Sequence, residues 1–186
     1  MAITALDPKT ALIVIDLQQG IVAMAPPQAV APVIANAAAL AEAFRRHGLP
    51  VVLVNVVPSP VPRRADQSRH VPELPSGWAD IIPEMNVQPG DHRISKHSWG
   101  AFTDTGLDDW LKGQGVTQVV IVGVSTSIGV ETTARQAYET GFNIAFASDA
   151  LADLVPEAHI NSLTRIFPRL GETGSTQDIV RLLESA

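Results

Sequence analysis

Short runs of consecutive apolar residues recur along this chain. Ala11–Ile15, Val51–Val56 and Val119–Val122 are rich in β-branched residues, and Asn143–Ser148 forms a further apolar run. Runs of this length without polar alternation are typical of strands buried on both faces, as in a parallel sheet. A fifth, shorter strand is predicted over His92–Lys96.

Helical patterns fill the intervals between these runs. Pro27–His47 is alanine-rich, carries one apolar stripe and is followed by Gly48, a typical helix stop. Further helices are predicted over Asp108–Leu111, from Thr126 or Ser127 to Gly141, over Pro156–Ile166 and from Ser175 onward. This alternation predicts an α/β protein, a three-layer α/β/α sandwich around a mainly parallel, Rossmann-like doubly wound sheet. We expect a single domain over residues 1–186.

Capping residues set the predicted helix starts. Thr126 or Ser127 is expected to cap the helix after the central strand, and Thr105 the helix over Asp108–Leu111. Ser175 and Asp178 have the spacing of a capping box, which predicts the start of the last helix.

Charge and cysteine content narrow the function classes. The net charge is -6 and there is no cysteine, so attraction to nucleic acid or to anionic membranes is not expected. Thiolate metal sites and thiol nucleophiles are excluded within this chain. Without a basic segment ahead of an apolar one near residue 1, we expect a cytoplasmic protein.

The segment from Pro58 to Pro89 lacks periodicity and holds seven of the 14 prolines. Such a long irregular segment is usually functional or disordered. Trp78, with Ile81 and Ile82, gives it apolar side chains to pack, which favours an ordered loop that covers a site over a decorative surface loop. The segment also contains Arg63, Arg64 and Arg69. These arginines either bind a small carboxylate ligand or are simply solvated.

Polar residues follow several predicted strands. Asp16 follows the first strand, Lys96 ends the third, and Val124–Thr126 follow the fourth. Taken singly, Asp16 is explained as a turn or cap residue and Lys96 as a solvated strand end. The hydroxyl groups of Ser125 and Thr126 are explained as helix caps. Because the carboxyl ends of parallel strands meet at one edge of a sheet, together they predict a site with an acid and an ammonium near a helix start.

Three motifs resemble the isochorismatase-like, or cysteine hydrolase, superfamily. They are IDLQQG at residues 15–20, ISKHSWGAFTDTGLDDWL at 94–111 and VIVGVSTSIGVETTARQAYETGFNIAFASDA at 120–150. The ST-x-IGVE-x-TAR loop is most similar to a cysteine-less bacterial subgroup. The resemblance runs from about residue 10 to the C-terminus and is weakest in the proline-rich loop.

The resemblance implies a catalytic set of an Asp, a Lys and a Cys, which falls here on Asp16, Lys96 and Gly129. It also implies a cis peptide between Val124 and Ser125, with Val124, Ser125 and Thr126 forming the oxyanion loop. Candidate substrate-binding residues come from the quoted motifs and from the loop: Gln18, Trp78, Trp99 and Phe102.

Glycine at the nucleophile position rules out a thioester mechanism. Isochorismatases also have glycine there and hydrolyse a vinyl ether, with the Asp as an acid. By this resemblance Asp16 donates or relays a proton and Lys96 balances charge. Lys96 alone would lower the pKa of Asp16, as suits a base, unless an apolar wall opposes it. We expect no metal, because the five histidines show no ligand spacing, and no cofactor.

Other functions remain open at this stage. The chain could be a pseudoenzyme that binds a metabolite or a partner. It could also be a serine hydrolase, since Ser125, Asp149 and His159 follow the chain order of an α/β-hydrolase triad. A phosphate loop is disfavoured, because GVSTSIG lacks the required Lys and glycines. By resemblance, we expect a small-molecule substrate and a homo-oligomer.

Overall fold

Six strands form one parallel sheet in a computed structural model that describes residues 2–59 and 73–185. The spatial order is β3-β2-β1-β4-β5-β6, the order of a Rossmann-type doubly wound sheet. The predicted fold class is therefore confirmed. The strands are β1 (Thr10–Ile15), β2 (Val51–Val56), β3 (His92–Lys96), β4 (Gln118–Val124), β5 (Asn143–Ala152) and β6 (Glu172–Gly174).

Helices cover both faces of the sheet. They are α1 (Gln19–Val22), α2 (Pro27–Arg46), α3 (Leu107–Gly113), α4 (Glu131–Glu139), α5 (Pro156–Asn161) and α6 (Thr176–Glu184). Two π-helical turns, Thr126–Val130 and Ser162–Ile166, precede α4 and follow α5. Short 3₁₀ turns are Pro83–Met85 and Phe167–Arg169.

The core consists of two apolar clusters, one on each face of the sheet. Along β1, Leu12 and Val14 pack with α2 and α6, whereas Ile13 and Ile15 pack with α3 and α4. Successive side chains of a strand point to opposite faces, so a continuous apolar run fits a strand with helices on both sides.

Most predicted element bounds agree with the structure. β2 and β3 have the predicted limits, α2 begins at Pro27, and Gly141 ends the α4 segment with φ of 93°. The capping box of Ser175 and Asp178 is present at the start of α6.

Two caps were predicted wrongly. Neither Thr126 nor Ser127 caps a helix, because the chain leaves β4 in a π-helical turn and both hydroxyls bond to other segments. Gly106, not Thr105, immediately precedes α3, although Thr105 Oγ1 still accepts a hydrogen bond from the Leu107 N–H.

β5 is longer than predicted and ends at Ala152. A register shift between Ile121 and Gly123 in the β4–β5 pairing lets the strand continue past Ser148. Asp149 therefore lies inside the strand, and Asp153 is the first residue beyond its end.

The described part of the proline-rich loop is ordered against the sheet edge. Ile82 is buried and Ile81 packs on the core, as expected. Arg63, Arg64 and Arg69 lie outside the described residues, so the suggestion of a carboxylate ligand drawn from them stays a prediction. Within residues 2–59 and 73–185, no helix has the length and apolarity needed to cross a bilayer.

Close approach of β1 and β4 depends on Gly123. Its φ is 116°, in a region that side chains rarely adopt, and a Cβ there would lie 2.1 Å from the main-chain oxygen of Ile15. This contact brings the end of β4 directly beside the residue that precedes Asp16.

Replacing Gly123 by alanine should lower the free energy of unfolding by about 4 kcal/mol or more, because a main-chain clash cannot be relieved by a rotamer change. Urea unfolding followed by circular dichroism measures this loss. Gly113→Ala is the matched control, since nothing lies within 4 Å of the added methyl group in α3. Equal midpoints for the two variants would contradict this account of Gly123.

Candidate active site

A buried ion pair lies at the carboxyl ends of the strands. Lys96 Nζ donates to Asp16 Oδ2 at 2.8 Å and to the carbonyl oxygen of Ser98 at 3.1 Å. Asp16 is 6% exposed and Lys96 2%. Because β2 lies between β1 and β3, the Lys96 side chain reaches across the end of β2 to meet Asp16.

Asp16 is held in an uncommon conformation at the end of β1. Its φ is 52°, and its N–H donates to the Val54 carbonyl. Its second carboxylate oxygen, Oδ1, is buried and has no hydrogen-bond partner among the described residues. A buried carboxylate oxygen without a partner is costly, so this atom is the natural contact for a ligand.

Burial raises the pKa of Asp16 from its ordinary value of 3.8 to about 6, against the opposing attraction and hydrogen bond of Lys96. Desolvation disfavours the carboxylate more than the ammonium stabilises it. The sequence left open which of these two effects is larger, and in the structure burial is. Asp16 can therefore carry a proton near neutral pH.

Gly129 faces the same carboxylate. It is buried in the turn Thr126–Val130, and a Cβ at this residue would lie 3.2 Å from Asp16 Oδ2. That Cβ would also lie 2.9 Å from Ile15 Cγ2, so a side chain would fit only if the Ile15 methyl group moved. The three positions expected to be catalytic thus lie together, with little space at the glycine.

The loop before Gly129 has the implied cis peptide between Val124 and Ser125. The Ser125 carbonyl accepts hydrogen bonds from the N–H groups of Ile128 and Val130. Thr126 is fully buried and its hydroxyl is bonded to His159 Nδ1 at 2.8 Å. An oxyanion role for Val124, Ser125 and Thr126 stays a prediction.

Side chains from the segment after β5 hold this loop in place. Asp153 Oδ2 accepts from both the N–H and the hydroxyl of Ser127, and Ser162 donates to Glu131 at 2.6 Å. The sequence did not reveal Asp153, because β5 was predicted to end four residues too early. A correct strand end would have made it the strand-end acid.

The serine hydrolase triad is not formed. His159 bonds to Thr126 rather than to Ser125. Asp149 Oδ1 accepts from the N–H and the hydroxyl of Thr176 at the start of α6. These partners leave Ser125 without the base that a serine nucleophile requires.

Two of the expected substrate-binding residues are engaged by the protein itself. The Gln18 carboxamide is buried and bonded to the main chain of Val56 and Trp78. The Trp78 indole packs on Gly20, where a Cβ would lie 2.0 Å from the ring. Trp78 thereby covers the segment that follows Asp16.

Trp99 and Phe102 differ in position. Trp99 is 54% exposed, one residue beyond Ser98, the carbonyl partner of Lys96. The Phe102 ring lies 6.0 Å from that of Phe142. The adjacent Ala101 N–H donates to Thr133 Oγ1, which in turn donates to the Gly129 carbonyl, so this segment runs beside the turn that carries Gly129. A substrate-binding role for Trp99 and Phe102 stays a prediction.

No group of three or more His, Cys, Asp or Glu side chains able to hold a metal ion occurs in the described ranges. The expectation of a metal-independent site stays a prediction.

Comparisons with known proteins agree with this geometry. A family model described as the isochorismatase domain matches residues 10–178. The chain belongs to the isochorismatase family. Members of this family are hydrolases, so the resemblance found in the sequence is confirmed at that level.

Individual relatives match over nearly the whole chain. The isochorismatase family protein YwoC of Bacillus subtilis is 38% identical over 178 residues, covering 92% of this chain and 93% of YwoC. YecD of Escherichia coli O157:H7 is 38% identical over 180 residues, covering 94% and 96%. The structure of an isochorismatase family protein from Burkholderia thailandensis superposes with a TM-score of 0.89 and 41% identity, covering 98% and 100%.

Titration of the Asp16 carboxyl carbon by NMR should show a midpoint near pH 6. Lys96→Met should raise that midpoint, because the ammonium favours the ionised carboxylate. Lys112→Met makes the same change on α3, beside Phe142 at the far end of the sheet, and should leave it unaltered. A wild-type midpoint near 3.8 would contradict the assignment of burial as the dominant effect, and no rise in Lys96→Met would contradict the opposing effect assigned to Lys96.

Proposed function

We propose that this protein hydrolyses a small enol ether that carries a carboxylate, with Asp16 as the general acid. The observation that carries the proposal is the buried Asp16 carboxyl, whose pKa is raised to about 6 and whose Oδ1 has no hydrogen-bond partner within residues 2–59 and 73–185. A group of this kind can donate a proton at the pH at which proteins work. The chain has no cysteine and does not use a thioester.

The proposed reaction is protonation of the enol ether by Asp16, followed by addition of water and loss of the alcohol. Asp16 gives its proton to the terminal carbon of the enol ether, which leaves an oxocarbenium ion at the carbon bonded to the ether oxygen. Water adds to that carbon from the side of Gly129 and returns a proton to Asp16. The resulting hemiketal breaks its C–O bond as the leaving oxygen takes a proton from Asp16 and the hydroxyl group gives its own proton back, so the products are an alcohol and a ketone.

Lys96 stabilises the carboxylate that forms when Asp16 donates its proton. When Asp16 gives up its proton, the new carboxylate is 2.8 Å from the Lys96 ammonium. A buried cation held in a fixed position stabilises the charge that develops in the transition state. The same lysine lowers the pKa of Asp16 in the resting site, so its presence makes Asp16 a stronger acid.

A carboxylate on the substrate suits this electrostatic arrangement. An anion bound beside Asp16 disfavours the second negative charge and raises the pKa of Asp16 further. Substrate binding would then load the acid with its proton, while Lys96 supplies the compensating positive charge.

A second candidate function is binding without catalysis. Its support is the tight packing at Gly129, where neither a nucleophile nor a side chain is present. In that case the site would bind a metabolite, and the Asp16–Lys96 pair would serve recognition alone.

Asp16→Asn should lower kcat/KM by about 10²–10⁴-fold on a panel of enol-ether carboxylates, because the amide cannot donate the proton. In the wild type, kcat/KM should fall as pH rises through about 6, since only protonated Asp16 is competent. Continuous detection of the ketone product measures both.

Asp104→Asn is a matched control for this experiment. Asp104 has a similarly positive φ of 55° but is exposed and outside the site, so its variant should retain wild-type rates. A kcat/KM that rises through pH 6 would make Asp16 a base instead. Carboxylate binding with no turnover of any panel member would favour the non-catalytic candidate.

Gly129→Cys should create a thiol-dependent amidase activity that iodoacetamide abolishes. The new Cβ would lie 3.2 Å from Asp16 Oδ2, close enough for Asp16 to accept the thiol proton, with a stability cost from the Ile15 contact. Gly113→Cys introduces the same group on α3 and should give no such activity. Alkylation of Cys at residue 129 without any gain of activity would contradict the proposed alignment.

A further inference from the structure

The Gln18 carboxamide is occupied by main-chain partners. Nε2 donates to the carbonyl oxygens of Val56 at 3.0 Å and Trp78 at 3.3 Å, and Oε1 accepts from the Val56 N–H at 2.7 Å. The residue is fully buried. Both N–H donors are in use, so this side chain has no free N–H to donate to a ligand.

The carboxamide acts as a substitute peptide group at the end of β2. It bonds both the N–H and the carbonyl of Val56, as a neighbouring strand would. Val56 is in register with Lys96 in the β2–β3 pairing, and the next residue, Val57, donates its N–H to the Lys96 carbonyl. Gln18 is therefore linked through Val56 and the β2–β3 pairing to Lys96, which carries the ammonium of the site.

Gln18 is also linked along the chain to Asp16, which carries the carboxylate of the site. Gln18 lies two residues after Asp16, and the intervening Leu17 is fully buried. The Leu17 carbonyl accepts a hydrogen bond from the Ile82 N–H, and the Gly20 N–H donates to the Trp78 carbonyl. The segment that follows Asp16 is thus fixed on both sides, with the Gln18 side chain as its link to β2.

We propose that Gln18 is a positioning residue that aligns Asp16 with Lys96 across the end of β2. It does so through Val56, and no part of Gln18 touches the reacting atoms. The consequence for turnover rests on the proposed function, whereas the consequence for the ion pair does not.

Gln18→Met tests this directly, because it keeps the length of the side chain, removes all its polar atoms and adds no charge near Asp16. Gln18→Leu is the second variant should the first fail to fold. In either, the Asp16 carboxyl titration followed by NMR should move upward by at least half a pH unit, because Lys96 no longer sits at hydrogen-bond distance. On an active substrate, kcat should fall about tenfold with little change in KM.

Gln136→Met is the matched control. Its carboxamide also fixes a loop, accepting from the Phe102 N–H and donating to the Thr103 hydroxyl, without contacting either member of the ion pair. This variant should lose stability without moving the Asp16 titration. An unchanged Asp16 titration in Gln18→Met and Gln18→Leu, with a stability loss like that of Gln136→Met, would overturn the proposal. A shifted titration in a protein without turnover would leave it standing and reject the proposed function instead.

Discussion

Burial and the Lys96 charge have opposite effects on the pKa of Asp16, and the structure around the site depends on their balance. Burial raises the pKa of this carboxyl to about 6, even with an ammonium 2.8 Å away. The folded state therefore binds the Asp16 proton more tightly than the unfolded chain does. This contribution to stability is complete below pH 3.8 and is lost as pH rises through about 6, on the order of 3 kcal/mol in all.

The fold supplies the means to maintain so costly an arrangement. Gly123 lets β4 approach the main chain of Ile15, and the Gln18 carboxamide ties the residues after Asp16 to the end of β2. Asp153 and His159 hold the turn that carries Gly129. Each of these supports acts on the last turn or strand end before the site, which is where a doubly wound sheet places its ligands.

Local sequence patterns were sufficient to predict many of the helices and strands. The apolar run of β2, the stripe of α2 and the capping box at Ser175 are local signals, and each predicted its element. The juxtaposition of Asp16 and Lys96 was also predictable, because the carboxyl ends of parallel strands share one edge, whereas Gly129 was added by the family resemblance.

Features set by contacts between distant segments were not predictable from the sequence. The extension of β5 depends on a register shift against β4, and its true end made Asp153 a partner of Ser127. Thr126 looked like a cap but bonds to His159, 33 residues away. The Phe102 ring packs against Phe142, which belongs to a distant segment of the chain. The pKa of Asp16 likewise depends on how deeply the fold buries it.

Proton uptake on ligand binding tests the central claim most directly. Calorimetric titration with a non-hydrolysable carboxylate ligand at pH 7, repeated in buffers of different ionisation enthalpy, counts the protons taken up. With the Asp16 pKa at about 6 in the free protein and raised further by the bound anion, the account predicts uptake of close to one proton per ligand. That uptake should be absent in Asp16→Asn. Binding of the same ligand to the wild type with no proton uptake would contradict the account.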